Sequence, residues 1–151
     1  MARFAGEYEE TFTIDGDIEV AKQHFGNPER IAKNHGDLVR WEDQGEGKIH
    51  YVLKPKSEKG VTFNGVYTCH YQFVSDDLFE WKTSQSDNLW SSGSIHFASA
   101  GESRTRLVYK ARMECEMQVN RFLAKVIKGI VSREISKGSK SFLDRMRSGL
   151  S

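Results

Sequence analysis

The stretch FLAKVIKGIVSREISKGSKSF, Phe122–Phe142, places apolar residues at helical spacing on one side and lysine and arginine on the other. Begun near Asn120, about thirty residues at 1.5 Å each predict a helix on the order of 45 Å long. Leu123, Ile127, Ile130, Val131, Ile135, Phe142 and Met146 form a stripe that slides around its axis, broad enough to lie on a twisted sheet. Gly138 falls within the stripe, where glycine costs roughly 0.5–1 kcal/mol against alanine, so it marks either a close approach by sheet or ligand or a kink shared with Gly129. Residues 121–147 hold eight basic and two acidic side chains, a net +6, and the other residues carry −5. A helix this long and one-sided needs an apolar surface to cover.

Residues 37–117 supply that surface. They alternate apolar and polar residues between turn signals at QGEG, KSEKG, SDD, SQSDN and SAGES, the pattern of an antiparallel meander, and we read six strands. The inward parity holds Val39 and Trp41; Ile49, Tyr51 and Leu53; Tyr67, Cys69, Tyr71 and Phe73; Phe79 and Trp81; Ile95 and Phe97; then Leu107, Tyr109, Ala111, Met113, Cys115 and Met117. The opposite parity of the last strand, Val108, Lys110, Arg112, Glu114 and Glu116, is mostly charged, so the sheet has one wet face and one dry one. A hairpin symmetric about Gly60 would set Tyr51 opposite Cys69, Leu53 opposite Tyr67 and His50 opposite His70.

Ahead of the meander, Tyr8, Phe12 and Ile14 share one face of a strand over Glu7–Ile14. Two short helices follow: DIEVAKQHFG, capped by Asp17, and NPERIAKNHG, with Asn27 as cap, Pro28 in the first turn and Gly36 as terminator.

This order, with FTIDGDIEVAKQHFGNPERIAK as strand and paired helices, SRTRLVYKARMECEM as final strand and NRFLAKVIKGIVSREISKGSKSFLDRM as closing helix, resembles the helix-grip fold. That is the α+β architecture of the START-like superfamily, also called SRPBCC or polyketide cyclase and dehydrase, and the last segment is most similar to its carbon-monoxide-dehydrogenase-subunit-G branch. The resemblance implies a curved sheet of about seven strands around the long helix, with a cavity between them used across the family for lipids, sterols, quinones, polyketides and other apolar molecules. Some members hold the ligand and others act on it, and fold alone does not decide between them.

A ligand cavity requires an apolar lining with a few orienting polar groups. The expected contacts are Tyr51, Tyr67, Cys69, Tyr71, Trp81, Phe97, Tyr109 and Met113 from the sheet, with Ile127, Val131, Ile135 and Gly138 from the helix. Taken singly, each aromatic has ordinary core as its plainer reading, and Trp81 and Phe97 are bulky enough to fill the space. Glu10 shares the inward parity of Tyr8 and Phe12 and is the one carboxylate placed there; buried beside a ligand it would act as a general acid or base with a raised pKa, although a solvated place near the strand's mouth is the simpler expectation. No nucleophile and base pair accompanies it.

His50, His70 and His96 fall on outward parity without further donors, short of the three or four that zinc takes, so neither metal nor cofactor is expected. The two cysteines, Cys69 and Cys115, lack metal or CxxC spacing and read as buried thiols in a reducing compartment. With 151 residues, 38% hydrophobic and a net charge of +1, the chain suits one domain with one core, 1–151, and offers no global attraction to nucleic acid. No apolar run follows a basic start and none approaches a membrane span, so a cytoplasmic protein is expected. Lys125, Lys128, Arg133, Lys137 and Lys140 give the closing helix a basic face: a solvated outer surface, or a contact with an anionic membrane or partner protein. The leading functional expectation is noncatalytic binding of a small hydrophobic molecule; the alternatives are a cyclase or dehydratase working through Glu10 or a tyrosine, and an accessory module docking through the basic helix.

Overall fold

Two side-chain caps turn the chain from strand into helix. After β1 (Ala2–Asp15), the Asp17 carboxylate accepts from the Val20 amide at 3.0 Å and opens α1 (Ile18–Phe25). The Asn27 side chain does the same for the Arg30 amide at 3.2 Å, and Pro28 begins α2 (Pro28–Asn34). His35 closes α2, and Gly36 and Asp37 both take positive φ, 75° and 46°, to send the chain back into the sheet. The computed structural model describes residues 1–150, and its remaining elements are β2 (Leu38–Gly45), β3 (Lys48–Leu53), β4 (Lys56–Glu58), β5 (Val61–Phe63), β6 (Val66–Ser75), β7 (Leu78–Ser86), β8 (Leu89–Ser99), β9 (Arg104–Met117) and α3 (Arg121–Ser148).

Seven strands form one antiparallel sheet in the order β1-β9-β8-β7-β6-β3-β2, and β4 and β5 form a separate two-stranded ribbon. The meander therefore holds eight strands, six of them in the main sheet. β1 pairs along its whole length with β9, from Ala2↔Met117 to Asp15↔Arg104, and so starts well before Glu7. Its first residues are templated by the long partner rather than by their own pattern.

Three register details differ from the sequence reading. An irregularity between Leu38 and Arg40 turns Val39 outward, 59% exposed, while Leu38 and Trp41 pack on the core. The ribbon turns at Lys59 and Gly60, both with positive φ, so its centre lies between them rather than at Gly60. A further one-residue offset separates ribbon from sheet, from Lys56↔Phe63 to Val52↔Val66. Tyr51 consequently faces Tyr67, Ile49 faces Cys69, and His50 faces Thr68, its Nδ1 2.9 Å from the Thr68 hydroxyl; His70 lies opposite Lys48. Inward parity survives because the shift is an even number of residues.

α3 lies against the inner side of β1. The closest approach is at Gly6, where an added Cβ would stand 2.7 Å from Ile135 Cβ. Neither Gly129 nor Gly138 has such a neighbour: nothing lies within 4 Å of a Cβ at either. The close approach by the sheet that a glycine in the stripe suggested thus belongs to the strand. The end of α3 is pinned on both flanks. Leu143 and Met146 are buried, the Met146 carbonyl accepts from His24 Nε2 at 2.6 Å, and Arg145 donates to the Asn34 and His35 carbonyls at 2.8 and 3.1 Å. On the β1 side, Arg147 pairs with Glu10 and lies 3.8 Å over the Phe12 ring. Among the described residues, no helix is long and apolar enough to cross a membrane.

Candidate functional site

Between α3 and the concave face of the sheet lies a cavity of about 240 Å³. Its floor comes from β6 to β9 through Tyr67, Tyr71, Trp81, Leu89, Ile95, Tyr109, Ala111, Met113 and Cys115. Ile127, Ile130, Val131, Ile135, Gly138, Phe142 and Met146 of α3 form its roof, and Phe25 of α1, Ile31 of α2 and His35 just after it close one side. The lining reaches the surface at the β4–β5 ribbon, where Lys56, Glu58, Val61 and Phe63 form a lip.

The space stays open because of Gly93. Trp81 stands beside Gly93 in the ladder, and a Cβ there would meet the indole Cζ2 at 2.2 Å and Cε2 at 2.6 Å. The ring therefore lies down across the bare backbone of β8 instead of standing up into the hollow. Phe97, the other bulky candidate, is sealed in the core and does not line the cavity.

Nine of the twelve expected ligand contacts line the cavity: Tyr67, Tyr71, Trp81, Tyr109, Met113, Ile127, Val131, Ile135 and Gly138. Tyr51, Cys69 and Phe97 do not, since all three are close to fully buried behind the lining. Parity selects the face of a strand but not how deep along it a side chain sits. Tyr51 still contributes from behind, its hydroxyl 2.6 Å from that of Tyr71.

His35 escaped the sequence reading. It follows α2 in a connection, where no strand parity applies, and the helix-ending triplet Asn34-His35-Gly36 was its only signal. Its Nδ1 lies 3.0 Å from the Gly36 carbonyl, which can only accept, so Nδ1 carries the proton. Nε2 is then an acceptor, and the Tyr67 hydroxyl donates to it at 2.8 Å. The ring also stacks at 4.7 Å on Tyr51.

Inside the cavity the electrostatics favour neutral forms, whereas at the lip Lys56, 3.0 Å from Asp37, holds that carboxyl below its ordinary value. Burial lowers the His35 pKa, and the nearby Arg145 charge adds to this against the opposing pull of the Gly36 carbonyl. Burial also pushes the hydroxyls of Tyr51, Tyr67, Tyr71 and Tyr109 up, along with the thiols of Cys69, to about 12, and Cys115, to about 11. A thiol held that far up is unreactive at neutral pH.

Glu10 lies outside the lining. Burial alone would raise its pKa, but the Tyr8 hydroxyl and the Arg147 guanidinium donate to its two oxygens and hold it below the ordinary value. This is the reverse of the raised acid expected for catalysis, because parity could not show the cation waiting at the end of α3. Among the described residues, no cluster of three or more His, Cys, Asp or Glu side chains could hold a metal; His96 instead meets Asp77 at 3.1 Å on the outer face.

No protein-family model matches the chain, and no curated protein matches it in sequence. Solved structures do match in shape. The Zhui aromatase/cyclase from Streptomyces sp. R1128 superposes with a TM-score of 0.68 over 97% of this chain and 93% of its own, at 12% identity. A START superfamily protein from Mycobacterium smegmatis gives 0.65 over 96% and 99%, at 10% identity. A norcoclaurine synthase from Thalictrum flavum gives 0.63 over 99% and 96%, also at 10% identity. A sheet of seven antiparallel strands, two short helices and a long C-terminal helix across its concave face: the chain has the helix-grip fold of the START-like proteins.

Proposed function

We propose that the protein binds and carries a small, neutral, hydrophobic molecule in the cavity under α3, without changing it chemically. The observation that carries this reading is the apolar hollow of about 240 Å³, whose inner polar side chains, His35 and the tyrosines, are held uncharged. Small-molecule pockets run to roughly 300–1,000 Å³, so a compact guest fits inside and a longer one, such as a lipid or a quinone, extends past the ribbon lip. Two of the structural neighbours are enzymes by name, but at 10–12% identity their likeness carries the fold alone. A cyclase or dehydratase would need a free acid or base facing the guest; Glu10 is engaged elsewhere, both ring nitrogens of His35 are bonded, to the Gly36 carbonyl and the Tyr67 hydroxyl, and burial raises the pKa values of the lining tyrosines. Native mass spectrometry and solvent extraction of freshly purified protein should find a bound apolar compound. A protein that yields none and binds no member of a hydrophobic panel overturns the reading.

Delivery to an anionic membrane is favoured by a separate observation. At the start of α3, Phe122 is 80% and Val126 47% exposed, among the exposed basic residues Arg121, Lys125 and Lys128. Arg133, Lys137 and Lys140 continue the basic face outward, with Lys140 paired to Asp144 at 3.0 Å. An apolar pair in a basic field suits a lipid headgroup boundary, each cation contributing on the order of 1 kcal/mol. Co-sedimentation with phosphatidylserine vesicles should be strong at low salt, weaken as salt rises and drop for Phe122→Ser. Equal sedimentation with neutral vesicles removes this reading. The buried thiols of Cys69 and Cys115 support a reducing, cytoplasmic setting.

A further inference from the structure

The cavity tyrosines differ in one respect: whether the hydroxyl already has a partner. That of Tyr67 is bonded to His35, that of Tyr71 to Tyr51, and Tyr8, behind them, donates to Glu10. Tyr109 has none. It sits mid-strand on β9, 5% exposed, with Glu10 and Ile95 beside it in the ladder. Tyr8, Trp81 and Phe142 surround its ring at centroid distances of 6.5, 5.5 and 6.3 Å. Among the described residues, Arg147 Nε is the one buried side-chain polar atom that is sealed off and unbonded. The Tyr109 hydroxyl, also unbonded, therefore keeps access, and the space its residue lines is the cavity.

A phenol with no protein partner that opens only onto an apolar cavity must find its acceptor in whatever occupies that cavity, water or guest. The Trp81 ring, its centroid 5.5 Å from that of Tyr109, lays apolar surface beside it. An idle donor in an apolar corner calls for an acceptor. A carboxylate would answer that call poorly, because it would enter without a free counter-ion: Arg147 is taken by Glu10, Arg112 by Glu7 at 2.7 Å and Lys56, out at the lip, by Asp37 at 3.0 Å. A neutral oxygen has no such cost.

We infer that Tyr109 is the polar anchor of the ligand site and that the ligand class is neutral molecules bearing a carbonyl or ether oxygen on an apolar, ring-sized body. The oxygen accepts from the Tyr109 hydroxyl, and the body lies between Trp81 and the α3 residues Val131 and Ile135. This inference rests on the ligand-binding reading and adds orientation and selectivity to it.

The test uses two probes of one skeleton, 9-fluorenone, which has the carbonyl, and fluorene, which has a methylene in its place. Calorimetry on the full chain should show fluorenone bound roughly 10-fold more tightly, the worth of one buried hydrogen bond. Tyr109→Phe should erase that preference, weakening fluorenone, which loses its hydrogen bond, and tightening fluorene, which no longer covers an unpartnered hydroxyl. Tyr71→Phe, which removes a hydroxyl already engaged, should keep the preference. In the unaltered protein the C=O stretch of bound fluorenone should move to lower wavenumber, a readout independent of any variant's folding. Equal binding of the two probes, a preference that survives Tyr109→Phe, or an unshifted stretch overturns the anchor while leaving the carrier reading intact. Failure of both probes to bind, together with a silent hydrophobic panel, removes the cavity as a ligand site and the anchor with it.

Discussion

At the scale of single residues, the glycines divide into those that a side chain would disturb and those that it would help. Gly6 is of the first kind: valine there must displace Ile135 and with it the middle of α3. Gly6→Val should cost about 1–3 kcal/mol, read as a lower urea midpoint. Gly138 is of the second kind, helical and with open space around a Cβ, so Gly138→Ala should raise stability by roughly 0.5–1 kcal/mol in the same measurement. The sequence marks both positions but not which is which, because a glycine advertises a missing side chain without saying whether a neighbour has filled the gap. His35 was illegible for a related reason. Periodicity locates residues on regular elements, and His35 follows one.

At the scale of elements, two of the polar locks that hold the end of the closing helix change with protonation or charge, while the third, Arg145 on the Asn34 and His35 carbonyls, does not depend on either partner titrating. His24 accepts from Arg30 at Nδ1, 2.6 Å away, and donates from Nε2 to the Met146 carbonyl. Burial lowers its pKa, with the Arg30 charge adding to this and the Met146 carbonyl opposing it. The unfolded chain thus takes up a proton at His24 more readily than the folded one. Stability from this source is fully present above the ordinary value of 6.5 and is lost as pH falls from there through the folded-state pKa. His35 acts in the same direction. The thermal midpoint should therefore fall between pH 7.5 and 5.5, and His24→Gln should flatten that slope. The second lock is Glu10 with Arg147, where Glu10→Gln should cost about 1–2 kcal/mol by leaving a partly buried guanidinium short of its counter-charge. The caps at Asp17 and Asn27, the strand parities and the amphipathic helix were all legible, since each is a local pattern. The β4–β5 ribbon and the Val39 reversal were not: one hides within a long connection as two three-residue strands, and the other needs one irregular pairing to invert a face.

At the scale of the whole molecule, the cavity is the difference between what the helix covers and what it touches. Filling it is the most direct perturbation. Val131→Phe should weaken any ligand at least tenfold while the circular dichroism of the fold stays unchanged, as equilibrium binding of a hydrophobic fluorophore would show. The sequence reading reached this architecture through a family resemblance spread over nearly the whole chain. It reached the lining only in part, because depth along a strand depends on where Gly93 lets Trp81 lie and where Gly6 lets α3 settle.

The pairing of β1 with β9 bears on how the molecule comes together. The hairpins among β6, β7, β8 and β9 are local and can zip early, whereas β1 must capture a partner roughly a hundred residues downstream, the kind of slow, distant closure that limits folding rates. Since α3 rests on β1, the greasy trough lacks its cover until that capture is complete. A molecule that lodges there during assembly is walled in by the final step, and its later escape is timed by the lifting of α3. Amide hydrogens in α3 should then exchange faster than those in the centre of β9, and a tightly held guest should slow them together.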